Sequence, residues 1–371
     1  MVPRCLLSTA FFFKTVMDNH PVTASTLGRL FGIKGSEVER CYKHHLSDYE
    51  TWEQKDHAED WILMPENIGE SLSIDETQLC NEVYTILSNK AGKGRKGTVV
   101  AVIKGTKVPV VASVFNMIPA EDRAKVKEIT MDFSDSMFKV SKLCFPNADI
   151  TIDCFHIIQR LNEGLEEMRL KIKREVIIKI KKERVAFAKE EERKARRRAW
   201  YRRTHKRNPK ETRGRKRIRR KKYRPAELPN GDTIVELLTR SRNLLSQSGD
   251  KWGESKKTRS GLLFRLFPKL KEAYSLVCMI RCIFKKHISV EQAKEELHQW
   301  YDRVSQCTFR EIKSARDCIK AKETEVLNYF NNRSTNASAE SLNSKLKGFR
   351  ALLRGIVDVP FFMYRISKIY G

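Results

Sequence analysis

The periodicity of hydrophobic and polar positions changes twice in residues 128–156. An apolar run ends at Asp132, a stretch with apolar residues at helical spacing follows, and a second apolar run ends at Asp153. This pattern predicts a strand, a helix and a strand. Ligands bind beyond the carboxyl ends of strands in an open α/β sheet, so the two aspartates are candidates for chemistry. The alternative is that Asp132 or Asp135 only caps the intervening helix.

The segment before this stretch also predicts strands. SLSIDETQL alternates around Asp75, YTILSNK follows it, and the apolar segments TVVAVIK and VPVVASVF flank Gly105 as an antiparallel hairpin. PAEDRAKVKE predicts a short helix with proline at its start. Four segments are strand candidates, and the sheet order that we expect begins with three strands, followed by a helix, a strand, a helix and a strand. It is typical of a ribonuclease-H-like mixed sheet, with three antiparallel strands and then parallel additions, in which Asp75 and Asp132 become neighbours.

A helix-turn-helix is predicted near the start of the chain. Residues 23–42 place apolar positions on one face of each of two helices, with a turn at Gly32. The second helix of such a motif enters the major groove of DNA and would here present Lys34 and Arg40. Any small helical hairpin with a glycine turn has the same pattern, so plain N-terminal packing is the alternative.

The rest of the chain has mainly helical periodicity. One long helical stretch continues beyond His156, and further helices are predicted as far as Phe330. The last segment predicts a helix capped by Asn336 or Ser338. One face of this helix combines a carboxylate, an amide and an ammonium group, although an ordinary surface helix also mixes such groups. The three residues are Glu340, Asn343 and Lys347.

These patterns divide the chain into four predicted parts. They are an N-terminal helical region (1–68), the first part of the α/β domain (69–160), a basic helical insertion (161–330), and a C-terminal helix and tail belonging to the α/β domain (331–371).

The charge of the chain indicates a polyanionic partner. The 371 residues include 73 Lys and Arg against 46 Asp and Glu, a formal charge of +27. Nucleic acid is the first candidate, because Lys and Arg neutralise phosphates. Two basic segments are the expected contacts, although dense like charge is ordinarily only solvated. They comprise Lys93, Arg95 and Lys96 in a loop that lacks the lysine of a P-loop, and Arg213, Arg215, Lys216, Arg217, Arg219 and Arg220.

Cysteine spacing and hydropathy argue against a zinc-binding, disulfide-stabilised or membrane-spanning protein. The nine cysteines form no paired CxxC spacing, so no zinc module or disulfide framework is expected. Reduced thiols favour the cytoplasm, and we expect no membrane span, because no segment reaches the roughly 20 apolar residues that one needs.

Two aspartates and a glutamate on a basic chain suit two-metal phosphoryl transfer. Mg2+ prefers carboxylate oxygens and water, and two ions about 4 Å apart can activate an attacking oxygen and stabilise a leaving one.

Several segments together resemble one known family. They are SIDET around Asp75, ITMDFSDSM around Asp132, FPNADITIDCFHIIQRLNEGL, ELHQWYDRV, EVLNYF, and NASAESLNSKLK around Glu340. They resemble the DDE transposases of bacterial insertion sequences, specifically the ISL-three family, over roughly residues 70–371.

The resemblance implies a ribonuclease-H-like catalytic domain with a long helical insertion before its third acid. The catalytic and metal-binding acids would be Asp75, Asp132 and Glu340, which would hold two Mg2+ or Mn2+ ions. Asp153 and His156 match a motif that lies beside the active site in the family, where Cys154 replaces a residue that is commonly basic. The N-terminal region lacks the cysteine pairs of a zinc module found in many relatives.

The reaction implied by the resemblance and by the metal chemistry has two steps. Water hydrolyses the phosphodiester at a transposon end, and the freed 3′-hydroxyl then attacks target DNA. Asn343 and Lys347 would position the scissile phosphate. The partners would be double-stranded terminal repeats and target DNA, held by a homodimer or larger assembly in the bacterial nucleoid.

Two other functions use the same residues. A nuclease or Holliday-junction resolvase would use the acids for hydrolysis alone. A domesticated or decayed transposase would bind DNA without cutting it, although the presence of all three acids argues against decay.

Overall fold

The computed structural model describes residues 9–205 and 221–371. The strands are β1 (Trp61–Leu63), β2 (Ser71–Leu79), β3 (Glu82–Asn89), β4 (Val99–Lys104), β5 (Glu128–Met131) and β6 (Asp149–Ile152). The helices up to the long helix are α1 (Thr9–Asn19), α2 (Ala24–Phe31), α3 (Gly35–Cys41), α4 (Val108–Phe115), α5 (Ala120–Ala124), α6 (Asp135–Cys144) and α7 (Cys154–Thr204). The later helices are α8 (Ile234–Arg240), α9 (Arg242–Leu245), α10 (Glu254–Leu266), α11 (Pro268–Lys285), α12 (Val290–Gln306), α13 (Arg310–Ala321), α14 (Glu323–Leu327), α15 (Tyr329–Asn332), α16 (Ala337–Leu352) and α17 (Val359–Tyr370).

The described strands form one mixed sheet in the order β1-β4-β3-β2-β5-β6. Strands β2, β3 and β4 pair antiparallel, and β5 and β6 extend the sheet in parallel from β2. This agrees with the antiparallel start and parallel additions that the sequence predicts. Strand β1, which pairs with β4, was not predicted, because its three residues are too short to show alternation.

Both faces of the sheet are covered by helices of the same compact unit. On one face, Phe115 of α4 and Val140 of α6 belong to the core cluster of β2, β4 and β5. On the other face, Leu342 and Phe349 of α16 and Phe362 of α17 pack on β3 and β4. Residues buried on both faces explain why the strands read as nearly continuous apolar runs.

The prediction that VPVVASVF is a strand is wrong. Residues Val108–Phe115 form helix α4, with Pro109 in its first turn. Proline is compatible with that position because the first helical N–H has no partner within the helix. Val111, Val114 and Phe115 are buried and Val110 is exposed, which is the helical spacing of one face. The short apolar run carried too few polar positions to distinguish a helix from a strand.

The N-terminal helices form a small cluster on α17. The predicted turn is present: Gly32 ends α2 in the left-handed conformation, with φ of 69°, and α3 begins at Gly35. Tyr42, which follows α3, is buried together with Phe361 and Tyr364 of α17. These helices therefore belong to the same compact unit as the sheet.

A second compact unit is helical. It comprises residues 158–286 and 295–320 in the described parts of the chain. Within it, the buried Trp300 donates its ring N–H to the carbonyl of Leu276 at 2.9 Å. The buried Arg281 donates to the side chain of Asn162 at 2.5 Å and to the carbonyl of Ser246 at 3.0 Å. Buried polar groups in this unit are thus satisfied by neighbouring helices.

A membrane-crossing helix is absent from the described part of the chain, where no helix combines the necessary length with the necessary apolarity.

Helix α4 offers a test of the core beneath the sheet. Replacing the fully buried Phe115 by alanine should lower the free energy of unfolding by about 3–4 kcal/mol, because it removes a ring and leaves a cavity. Val110→Ala, on the exposed side of the same helix, should change it by less than about 1 kcal/mol. Denaturant unfolding followed by circular dichroism measures both, and equal losses would contradict this packing.

Candidate active site

The parallel register of the sheet brings three aspartates into one row. Ile74 of β2 lies opposite Met131 of β5, and Met131 lies opposite Ile152 of β6. Asp75, Asp132 and Asp153 each follow one of these aligned residues. The row therefore lies beyond the carboxyl ends of β5 and β6, where open α/β sheets place their ligands.

Asp153 is held by backbone groups. It precedes α7 and accepts the N–H of Phe155 at 3.0 Å, which caps the start of that helix. Its second oxygen accepts the N–H of Asn336, the residue before α16, at 3.1 Å. With its side chain buried and both oxygens bonded, Asp153 joins the starts of two helices to the sheet.

Asp132 contacts an amide and an imidazole through the same oxygen. The side-chain amide of Asn336 donates to Asp132 Oδ1 at 2.9 Å, and His156 Nε2 lies 2.8 Å from that oxygen. The contact places the imidazole against the carboxylate as an ion pair when the ring is protonated. Contact with the Asp132 carboxylate raises the pKa of His156, which favours the cationic ring.

Asp75 is buried and carries a raised pKa. It is 9% exposed, and it accepts the N–H of Glu76 at 2.8 Å and the side-chain amide of Asn343 at 2.6 Å. Burial, and secondarily the charge of Asp132, raise the pKa of Asp75 to about 7. The two bonds therefore do not fully replace the water that the carboxylate loses.

Helix α16 brings Glu340 close to His156 and the row of aspartates. Its side chain is 52% exposed, and one of its oxygens lies 4.0 Å from His156 Nε2. Ligand atoms of Asp153, His156 and Glu340 all lie within 4.8 Å of one another, the only such set of three among the described residues. The ligand atoms of the three predicted acids do not all lie within that distance of one another; these acids are Asp75, Asp132 and Glu340. The charges of Asp132 and Glu340 nevertheless act on Asp75.

The donor set fits a divalent cation. Four carboxylates converge on a single imidazole, so negative charge is in excess, and their oxygens are the ligands that Mg2+ and Mn2+ prefer. Burial raises the pKa of Asp75, and the charges of Asp132 and Glu340 add to this effect. The side-chain oxygen of Asn343, buried next to Asp75, also has no hydrogen-bond partner.

Other predicted residues of this region have varied environments. Asn343 is buried against Asp75, in contrast to the phosphate contact expected of it, whereas Lys347 is exposed on α16.

Asp135 is not the cap of α6: Ser134 is the cap, and Asp135 pairs with Lys322. Burial, with the charge of Asp153 as a second cause, raises the pKa of Cys154 to about 11, so its thiol stays neutral.

The predicted DNA contacts in the described residues are exposed. Lys34 and Arg40 lie before and within α3, and Lys93, Arg95 and Lys96 lie in the loop before β4. This loop is attached to α16, because Lys345 donates to the carbonyl of Gly94 at 2.7 Å. The remaining predicted contacts, Arg213, Arg215, Lys216, Arg217, Arg219 and Arg220, lie outside the described residues.

Sequence reasoning missed the role of Asn336. It assigned this residue, or Ser338, to capping α16. Asn336 is indeed the residue before the helix, but its side chain makes no capping bond and reaches Asp132 instead. The complete burial of Asn336 is what indicates a contact other than capping. The sequence NASAESLN does not reveal that burial.

The raised pKa of Asp75 predicts a pH-dependent stability. Because the folded protein binds more protons than the unfolded chain between about pH 4 and about pH 7, the free energy of unfolding should fall as pH rises through this range. In EDTA, Asp75→Asn should therefore be more stable than wild type at about pH 8, by on the order of 2 kcal/mol, and similar to it at about pH 4. Denaturant unfolding at several pH values measures this.

Glu76→Gln supplies the control, because the exposed Glu76 is the next carboxylate on β2. Its unfolding curves should follow those of wild type at each pH. An Asp75→Asn variant with the wild-type pH slope would contradict the raised pKa of Asp75.

Comparison with known proteins places this chain in a family. A family model described as transposase, of the ISL-three DDE type, matches residues 72–227 and 212–366. No curated protein and no solved structure matches the chain. The matched residues include the three aspartates and the whole of α16, and transposases of this kind cut DNA and generally use a divalent metal. With more than half of its residues matched, the chain belongs to the ISL-three family of DDE transposases.

Proposed function

We propose that this transposase cuts the ends of an insertion sequence and joins the freed 3′-hydroxyl to target DNA. Asp75, Asp132 and Glu340 are its catalytic acids. The observation that carries the proposal is the juxtaposition of Asp75 and Asp132 at adjacent strands. Burial, and secondarily the charge of Asp132, raise the pKa of Asp75 to about 7. Such a pair is electrostatically costly in the protein alone and suits a site that takes up cations.

The arrangement of the sheet supports a ribonuclease-H-like catalytic domain. Three antiparallel strands are followed by two parallel ones, in the order β4-β3-β2-β5-β6. Asp75 lies on the central strand of this set and Asp132 follows its parallel neighbour. In such a domain the first and second acids occupy these positions.

The residues that would hold two Mg2+ or Mn2+ ions are Asp75, Asp132 and Glu340. Bound ions supply Lewis-acid stabilisation of the scissile phosphate and lower the pKa of the attacking hydroxyl or water. The remaining work belongs to the chain. Asp153 fixes the starts of α7 and α16, and His156 balances part of the negative charge. The exposed Glu340 faces the DNA.

Basic groups beside the site are placed to hold the DNA backbone. Lys347 lies two turns beyond Glu340 on α16 and is exposed. The loop with Arg95 and Lys96 is attached to the same helix through Lys345. DNA bound to these groups would lie next to the catalytic acids. Because two ends are brought together in transposition, a homodimer or larger assembly is the expected active form.

Alanine at each catalytic acid tests the assignment. Asp75→Ala, Asp132→Ala and Glu340→Ala should each lower the rate of end cleavage by ~1,000-fold or more, because each removes charge from the site. DNA binding should remain within about threefold of wild type. Cleavage of labelled DNA in Mg2+ and gel-shift titrations measure the two quantities.

Asp149→Ala and Asp135→Ala are matched controls. Asp149 is exposed at the opposite end of β6, and Asp135 is paired with Lys322 on the surface. Both variants should cut normally. Full activity of Asp132→Ala together with loss in Asp135→Ala would show that the second acid is misassigned.

Joining distinguishes a transposase reaction from simple hydrolysis. With a pre-cut end, the wild-type protein should transfer the 3′-hydroxyl to a target plasmid, and the alanine variants of the three acids should not. Cleavage without joining would favour a nuclease or resolvase, and binding without cleavage would favour a non-catalytic DNA-binding protein.

The basic loop should contribute to DNA affinity through phosphate contacts. Arg95→Ala with Lys96→Ala should weaken binding and reduce the slope of log K against log salt by about 2, since each phosphate contact contributes about 0.9. Gel shifts across a salt series measure this.

The control for the loop is Lys125→Ala with Lys127→Ala. These two lysines are exposed near the start of β5 and pair with Asp122 and Glu70. Their loss should leave the salt slope unchanged. Equal slopes for both double variants would remove the loop from the DNA-binding surface.

A further inference from the structure

Asn336 combines complete burial with an unusual use of its side chain. It occupies the position before α16, where asparagine ordinarily accepts a hydrogen bond from the first turn of the helix. In this protein its side chain makes no such bond and is fully buried. The helix therefore forgoes a stabilising side-chain cap at this position.

The side chain contacts the proposed catalytic centre instead. Its amide nitrogen lies 2.9 Å from Asp132 Oδ1, and its backbone nitrogen lies 3.1 Å from Asp153 Oδ2. Its amide oxygen lies 3.5 Å from the hydroxyl of Thr130, which is itself buried and contacts Ser73 of β2. Asn336 thus connects the start of α16 with β5 and with Asp153, the residue that follows β6.

We propose that Asn336 is a positioning residue that acts through Asp132 and sets its carboxylate in the orientation needed for metal binding. The proposal rests on the proposed function of Asp132 as a metal-binding catalytic acid. A neutral amide suits this task, because it donates a hydrogen bond without cancelling the charge that a cation requires. A lysine would neutralise the carboxylate and an acid would repel it.

The same helix repeats the arrangement at the first aspartate. Asn343 lies seven positions after Asn336 on α16, and its amide donates to Asp75 Oδ2 at 2.6 Å. Glu340 lies between the two asparagines on the same helical face. Docking of α16 therefore delivers the third acid and orients the first two in a single event.

The test compares two variants of Asn336. Asn336→Ala removes the amide. Asn336→Ser also removes the amide but provides a hydroxyl, which is favoured at the position before a helix. This variant should therefore be at least as stable as Asn336→Ala. Both should raise the Mg2+ concentration for half-maximal cleavage by about 10- to 100-fold, as loss of a hydrogen bond to a metal ligand does. Affinity for DNA should be unchanged.

Metal binding without DNA gives a readout that does not depend on activity. The wild-type melting temperature should rise with added Mg2+ or Mn2+, and both Asn336 variants should need about 10- to 100-fold more metal for the same rise. Excess Mn2+ should restore cleavage by the Asn336 variants. It should not restore cleavage by Asp132→Ala, which lacks the carboxylate itself.

Asn328→Ala is the matched control. The amide of Asn328 donates to the carbonyl of Ile150 in β6 at 2.8 Å, so the variant loses an amide hydrogen bond that does not reach a carboxylate. It should keep the wild-type metal dependence. An Asn336→Ser variant with wild-type metal dependence in both assays would overturn the proposal, as would an equal shift in Asn328→Ala.

Failure of the underlying function would give a different result. If Asp132→Ala cleaved DNA at the wild-type rate, the catalytic assignment would fall and the positioning role with it. If Asp132→Ala were inactive while both Asn336 variants behaved as wild type, the assignment of Asp132 would stand and the positioning role alone would fall.

Discussion

The candidate site depends on the register between β2, β5 and β6. Parallel pairing aligns Ile74, Met131 and Ile152, so the next residue of each strand is an aspartate in the same row. A shift of one residue in either pairing would turn one aspartate toward the opposite face of the sheet. The buried apolar residues on both faces fix this register, because a slipped strand would expose them.

The three aspartates then differ through the groups that approach them. Asp153 accepts two backbone N–H groups and holds helices in place. Asp132 accepts a hydrogen bond from the Asn336 amide and lies beside His156, and burial raises the pKa of Asp75. One sequence pattern, an apolar run followed by aspartate, therefore yields three carboxylates with different burial and different hydrogen-bond partners.

Much of this arrangement follows from the sequence. Alternation around SIDET and the apolar runs that end at Asp132 and Asp153 were sufficient to predict adjacent strands and neighbouring acids. Helix α4 was missed because a segment of eight residues, of which only Ser113 is polar, carries no clear period. The contacts of Asn336 and Asn343 were missed because they join residues 204 and 268 positions apart, and local patterns contain no information about such pairs.

Those long separations also order the events of folding. Strand β2, which carries Asp75, pairs with β5 through residues 57 positions apart, whereas the contacts of α16 and its preceding residue with the two aspartates span 268 and 204 positions. Contacts of high sequence separation form late, because closing a long loop costs entropy first. Until then, the face of β3 and β4 that packs on Leu342, Leu346 and Phe349 stays uncovered. Docking of α16 therefore both covers this apolar face and brings Glu340 to the aspartates, so the candidate site is complete only when the last part of the chain is in place.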